Sequence, residues 1–270
     1  MLTKYYFDQF RELIYENSGI TIPDSKKYFL ESRIKEHLLE LGISSLKDYF
    51  LLLKRDKNVF REFISKITVN ETYFYREFFH LQALAYLAQT ENFGNSVKVL
   101  SSPTSTGEEP YSIAIVLNEV LDKPFFITGI DIDKNAIEKA IRGVYGKRSV
   151  AKLPEEYLLK YFDIIDNDTF KLKSSIKRKV KFYEGNILDG NFLKSLGKFH
   201  YIFCKNLLIY FDKPARIKAI NNLYDILVDG GYLFLGHAES LSGITSIFEP
   251  VKVKGHTVYR KTLEEDDEFF

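Results

Sequence analysis

Val97-Lys-Val-Leu-Ser101 runs directly into Ser102-Pro-Thr-Ser-Thr-Gly-Glu-Glu-Pro-Tyr-Ser112. A β-branched, apolar run ends in small residues, and two carboxylates and a proline then open an amphipathic stretch through Ile113, Ala114, Val116, Leu117 and Val120. This pattern predicts a strand, a tight loop and a helix, the turn that brings a nucleotide-like ligand to a helix N-terminus. Phe125-Phe-Ile-Thr-Gly-Ile-Asp131 predicts a second strand with a carboxylate at its end, 24 residues beyond Gly107. That spacing is close to the one at which an acidic residue meets the ribose hydroxyls in dinucleotide folds. The loop nevertheless has one glycine rather than three, with Glu108 and Glu109 where a pyrophosphate would sit. Two carboxylates repel a diphosphate and suit a cationic ligand.

An adenosyl group carrying a positive sulfonium answers that description, so S-adenosylmethionine is the candidate ligand. Outward from the loop, strands alternate with helices: strands at 97–101, 125–131, 180–185, 201–205, 232–236 and 257–260, helices at 109–121, 134–142 and 214–228. Such an order predicts a mostly parallel sheet covered by helices. The last two strands lack a helix-length pattern between them, so the final strand is expected antiparallel at the sheet's edge. Residues 153–179 are the least regular part and the expected place of an inserted β-subdomain. Residues up to about Asn92 read as helical throughout, with Phe7, Phe10, Leu13 and Ile14, then Phe29, Ile34, Leu38 and Leu41 at helical spacing. Ser44-Ser45 reads as the cap of a further helix through Tyr49, Leu52 and Leu53. The expected domains are therefore 1–92, 93–262 and an acidic tail at 263–270.

A net charge of +1 exerts no global pull toward nucleic acid or membrane. Locally, residues 142–184 hold eleven basic against six acidic side chains. A single cysteine, Cys204, excludes an internal disulfide and a cysteine-rich metal site, and the five histidines are scattered, so no metal is expected. No apolar run reaches the roughly 18 residues that span a bilayer, and the first residues lack a signal-peptide pattern. A cytoplasmic protein is expected.

Several clusters fall at strand ends or at the domain join: Asn70-Glu-Thr-Tyr-Phe-Tyr-Arg-Glu77, Ser105-Thr-Gly-Glu-Glu-Pro-Tyr-Ser112, Gly129-Ile-Asp-Ile-Asp133, Arg142-Gly-Val-Tyr145, Phe203-Cys-Lys-Asn-Leu-Leu-Ile-Tyr-Phe211 and Gly236-His-Ala-Glu-Ser240. With these boxes in this order, nearly the whole chain resembles the chemotaxis receptor glutamate methyltransferases, the CheR family. The resemblance implies a class I, Rossmann-like methyltransferase sheet with a terminal antiparallel strand, a small all-helical N-terminal domain and a small inserted β-subdomain. It implies S-adenosyl-L-methionine as cofactor and S-adenosyl-L-homocysteine as product. It places Asn70, Thr72 and Arg76 at the cofactor or reaction centre, Glu109 and Asp131 on the cofactor, Asn186 and Ile187 beside the adenine, and Lys205, Asn206 and Tyr210 in the cleft. Lys205 departs from the family's arginine, losing a bidentate fork but keeping the charge. Asp133 is the more natural helix cap, which leaves Asp131 for the ribose. Glu108 is expected only to favour the helix N-terminus.

The implied partner is the acidic, helical methylation region of a cytoplasmic chemoreceptor domain, met by a basic face of the helical domain. Lys26, Lys27, Arg33, Lys35 and His37 supply such a face, with Arg33 and Lys35 as docking residues. Membrane contact is expected only through the receptor, and a monomer is expected. A glutamate nucleophile is already ionised at neutral pH and needs no general base. Alignment and desolvation then carry the reaction, with Arg76 holding the carboxylate and Tyr210 orienting it. Two other readings stay open: a non-catalytic cofactor-binding adaptor, and a small-molecule methyltransferase.

Overall fold

The computed structural model describes residues 2–262, so the expected acidic tail lies outside the described residues. Helices α1 (Lys4–Ser18), α2 (Lys27–Glu40), α3 (Leu46–Arg55) and α4 (Lys57–Ile67) pack around Phe10, Ile14, Leu30, Ile34, Tyr49 and Phe63. Their starts follow from local chemistry: the side chains of Thr3, Ser45 and Asp56 accept backbone N–H groups in the first turns of α1, α3 and α4.

Helix α5 (Phe78–Thr90) buries Leu81, Leu84 and Leu87 in the core of the sheet, not with the other helices. The helical unit with its own core thus closes at Ile67 instead of near Asn92. Apolar spacing registers a helix but not which core receives it. Between α4 and α5 the chain is not helical, which corrects the reading of helix throughout. Tyr75 and Glu77 take φ of 63° and 51°. The N–H groups of Phe74 and Tyr75 donate to the Ser149 carbonyl and to Ser112 Oγ, at 2.9 and 3.0 Å.

Strand β1 (Val97–Ser101), α6 (Glu108–Val120), β2 (Phe125–Asp131) and α7 (Lys134–Arg142) follow as expected. Next come β3 (Val144–Gly146), α8 (Lys147–Val150), α9 (Glu155–Tyr161), β4 (Phe162–Ile164), β5 (Thr169–Leu172) and α10 (Ser174–Lys177). Strands β3, β5 and β4 form a small antiparallel sheet in that order. This insertion begins at Val144, ahead of the 153 expected, because its first strand pairs with a distant one and carries no local signal.

The chain finishes with β6 (Val180–Glu184), α11 (Gly190–Ser195), β7 (Phe199–Cys204), α12 (Lys213–Ile226), β8 (Leu227–Leu235), β9 (Phe248–Val253) and β10 (His256–Lys261). The main sheet has the order β6-β2-β1-β7-β8-β10-β9. Pairings from β6 to β8 are parallel, and β10 is antiparallel to both its neighbours. The last strand is antiparallel as expected, yet it lies inside the sheet. The edge belongs to β9, a strand the sequence reading missed; Pro250, which has no N–H to give, is tolerated there. From β1 the chain crosses to β2 on one side, while β7 lies on the other, so a switch point opens at the carboxyl ends of β1 and β7. No helix among the described residues is long and apolar enough to cross a membrane.

Candidate functional site

At that switch point lies a cavity of about 730 Å³, counting its open mouth. Its walls combine the helical domain (Ile20, Ile67) and the segment after it (Asn70) with the strand ends (Ser105, Asp131, Asn186, Ile187, Asn206) and Tyr210. A second, smaller recess shares Val69, Pro103, Ser105 and Asn206 with it and adds Thr72, Arg76, Glu109 and Lys205. The expected residues of the cofactor and reaction centre therefore converge on two adjoining recesses. Arg33 and Lys35 lie elsewhere, on α2.

Asp131 ends β2 with its carboxylate buried, accepting the N–H groups of Ser105 at 2.7 Å and Asp133 at 2.9 Å. Burial pushes its pKa up to about 6, and the nearby Asp133 adds to the rise. A carboxylate that accepts ribose hydroxyls loses acceptor capacity on protonation. Affinity for S-adenosylhomocysteine is therefore expected to fall as pH drops through about 6, read by calorimetry across that range. A flat profile would separate Asp131 from the ligand.

Asp133 does more than cap α7. It accepts Asn135 and Ala136 N–H groups there, and also the side chains of Ser65 on α4 and of Thr68 and Asn70 just beyond it. The Asn70 amide thus has one end on Asp133, at 2.6 Å, and the other accepting from Ser105 Oγ at 3.2 Å. Asn186 is similarly engaged: its amide N–H reaches the Asn17 carbonyl and its oxygen accepts from Leu188 N–H. Ile187 offers an apolar wall to the cavity.

Helix α6 starts at Gly107, whose φ is +97° and where a Cβ would come within 2.8 Å of Ala140 Cβ and 2.9 Å of the Tyr145 hydroxyl. Glu108 is buried in the first turn, accepting from Thr106 and Ser149 hydroxyls, and burial raises its pKa. Glu109 points into the recess instead, accepting from Ser101 Oγ at 2.9 Å and pairing with Lys205 Nζ at 3.0 Å. The same ammonium reaches Glu77 at 3.1 Å. Burial alone would lower the Lys205 pKa, yet Glu109 and Glu77 outweigh it and raise it. Glu77 would be raised by burial, but His80, Lys205 and the His237 N–H hold it at about 2. Two carboxylates around one ammonium leave a net negative charge beside the cavity, the sign that suits a sulfonium. Glu77 was not singled out in the sequence; the clue was its place directly after Arg76 in the same box.

Arg76 donates to the Glu71 carbonyl at 2.6 Å and lies over the Tyr73 ring. Tyr210 closes a short 3₁₀ turn from Leu208 and is 38% exposed at the mouth of the cavity. Its hydroxyl makes no hydrogen bond among the described residues, whereas its carbonyl accepts from Thr21 N–H at 2.8 Å. Arg33 pairs with Glu36 at 3.1 Å and Lys35 with Glu31 at 2.8 Å. Two residues apart on a helix, they point about 200° from each other, so they do not share one face. His37 is not on a basic face at all: it is core, its Nδ1 2.8 Å from the Tyr49 hydroxyl and its ring stacked on Phe63.

Residues 70–257 match the CheR methyltransferase, SAM binding domain, and residues 6–68 the CheR methyltransferase, all-alpha domain. The chain is 35% identical to chemotaxis protein methyltransferase 2 of Vibrio cholerae, over 97% of this chain and 94% of that protein. It is 34% identical to the chemotaxis protein methyltransferase of Klebsiella aerogenes, covering 97% and 91%, and 32% identical to that of Borreliella burgdorferi, covering 90% of each. With both domains matched and a cleft lined from both of them, the chain belongs to the CheR family of S-adenosylmethionine-dependent methyltransferases.

Proposed function

We propose that this protein methylates glutamate side chains in the helical methylation region of chemoreceptors, forming γ-methyl esters. One observation carries the reading: Arg76 and Tyr210 border open, adjoining recesses in which the described residues form no Ser/His/Asp or Cys/His arrangement, which suits a nucleophile that arrives ionised. When bound, S-adenosylmethionine supplies an electrophilic methyl group. Asp131 holds the ribose, Ile187 flanks the adenine, and Asn70, Thr72, Glu109 and Asn206 frame the remainder. Lys205 keeps Glu77 and Glu109 in place, its ammonium being shared between them. Arg76 receives the incoming carboxylate, and the Tyr210 hydroxyl orients it by one hydrogen bond. Incubation with methyl-labelled cofactor and receptor-containing membranes should give base-labile label on the receptor; label that resists base, or none, would refute the reading.

Arg76→Ala and Tyr210→Phe are expected to lower turnover about tenfold while changing cofactor affinity less, since their task is to place the nucleophile. Full turnover in Tyr210→Phe would remove its hydroxyl from the reaction.

Docking is proposed through α2, with Arg33 and Lys35 contributing from different sides. Lys35 shares its exposed stripe with Tyr28 and Leu39. Lys35→Glu should raise KM for receptor several-fold at low salt and leave cofactor affinity intact, the difference shrinking as salt rises. A salt-independent KM equal to that of the unaltered protein would remove Lys35 from the interface. The inserted sheet is not proposed to grip a receptor C-terminus: its β4–β5 hairpin carries Asp163 in β4 and Asp166 and Asp168 in the turn, which repel a terminal carboxylate.

A further inference from the structure

Of the Gly236-His-Ala-Glu-Ser240 box, only the His237 N–H enters the site as described, yet the geometry of the whole turn is tied to the cleft. Glu239 sits in the turn after β8, and its carboxylate accepts three backbone N–H groups: Asn206 at 2.7 Å, Leu208 at 2.7 Å and Gly236 at 2.8 Å. Asn206 holds a left-handed φ of 58°, a conformation that costs a non-glycine residue free energy unless its surroundings compensate. Leu208 N–H opens the 3₁₀ turn that ends at Tyr210. One carboxylate thus satisfies the donors on both sides of the bend that presents Asn206 and Tyr210 to the cavity. The same turn reaches the other wall, where His237 N–H donates to Glu77 at 3.0 Å, the carboxylate paired with Lys205.

From this we infer that Glu239 is a positioning residue for methyl transfer, acting through Asn206 and Tyr210 without touching either reactant. The inference rests on the proposed reaction for its kinetic readout but not for its binding readout. A carboxamide offers one acceptor oxygen and turns an NH₂ toward backbone donors, so Glu239→Gln should release the bend while nearly preserving volume. Gly236→Ala perturbs the same anchor without removing a charge: its Cβ would come within 2.7 Å of Glu239 Oε2 and 2.9 Å of the Asn206 nitrogen.

The test combines methyl-transfer kinetics, calorimetric binding of S-adenosylhomocysteine and thermal unfolding. Both variants should lower kcat about tenfold and weaken product binding several-fold at temperatures where they remain folded. Combining Glu239→Gln with Tyr210→Phe should be little worse than the slower single variant, because both remove one placement. Unchanged kcat and product affinity alongside a lower unfolding temperature would reduce Glu239 to a structural role and overturn the inference. Fully additive losses would overturn its route through Tyr210. Should the unaltered protein bind product but methylate no receptor, the proposed reaction falls; product affinity in the two variants still decides the inference, and no change there would sink it.

Discussion

Lys205→Met is expected to destabilise the folded protein by about 3–5 kcal/mol, the cost of stranding the partners of a buried ion pair. The Lys205 side chain is 4% exposed, and its ammonium lies 3.1 Å from Glu77 and 3.0 Å from Glu109, themselves 15% and 16% exposed. Methionine reproduces the chain as far as Cε and lacks only the terminal ammonium, so the loss reports mainly on charge and little on a cavity. Unfolding should then begin on the order of 10 °C lower. Lys205→Arg keeps the cation and should retain most of the stability.

Acid provides a second check on the same cluster. Glu77 has a pKa depressed from 4.5 to about 2, so its ionised form contributes stability above the unfolded value. That contribution disappears as pH falls from about 4.5 through about 2. Lys205, raised by its partners, contributes with the opposite sign: fully at any pH below its unfolded value, and lost only in strong base. The unaltered protein should therefore lose stability across the acid window, and Lys205→Met should lose less there, because Glu77 then has no ammonium to protect. Chemical denaturation at a series of pH values measures both. Equal midpoints for the two proteins at neutral pH would show that the cluster is solvated and contributes nothing.

Asp131→Ala is expected to weaken S-adenosylmethionine and S-adenosylhomocysteine alike, by about 1.5–3 kcal/mol, roughly ten- to a hundredfold. Equal losses follow because the ribose is common to both, whereas a contact with the sulfonium would penalise the cofactor alone. Stability should respond in the reverse sense to that of the Glu77 cluster. The Asp131 pKa is raised, so in the free protein its buried charge costs stability above about pH 6, and protonation relieves it as pH falls. Removing the side chain eliminates that dependence, although the Ser105 and Asp133 N–H groups then lose their acceptor. Calorimetry on both ligands, with the pH series repeated on the variant, gives the answer; undiminished affinity would remove Asp131 from the site.

Much of the fold could be read locally. β1, β2 and α7 stand at the residues expected, because each is a short run whose burial pattern follows from its own period, and Asp133 caps α7 as anticipated. Thr169–Leu172 forms a strand opposite Phe162–Ile164, inside the stretch expected to hold a β-subdomain. Misses occurred where a segment's state depends on a distant partner. β9 carries a proline and a weak alternation, and becomes a strand only because β10 pairs with its whole length. The 68–77 stretch was read as helical along with the segments on either side of it, but Ser112, Ser149 and Asp133 capture its donors and hold it open.

The same division holds for the site. The residue types at strand ends, and their order along the chain, were enough to bring Asp131 and Glu109 to adjoining recesses at the β1 switch point. Charge and hydrogen-bonding capacity are properties of single side chains, and a parallel sheet puts its strand ends at one edge. Which partner each group takes is a property of three-dimensional distance. Only the tertiary structure decided that Lys205 is shared by Glu77 and Glu109, that His37 is buried against Tyr49, and that Arg33 and Lys35 are each paired on α2. It alone showed Glu239 holding the bend that carries Asn206 and Tyr210. Coulombic and hydrogen-bond energies fall away over a few ångströms, and no spacing along the chain records which distant carboxylate arrives within that range.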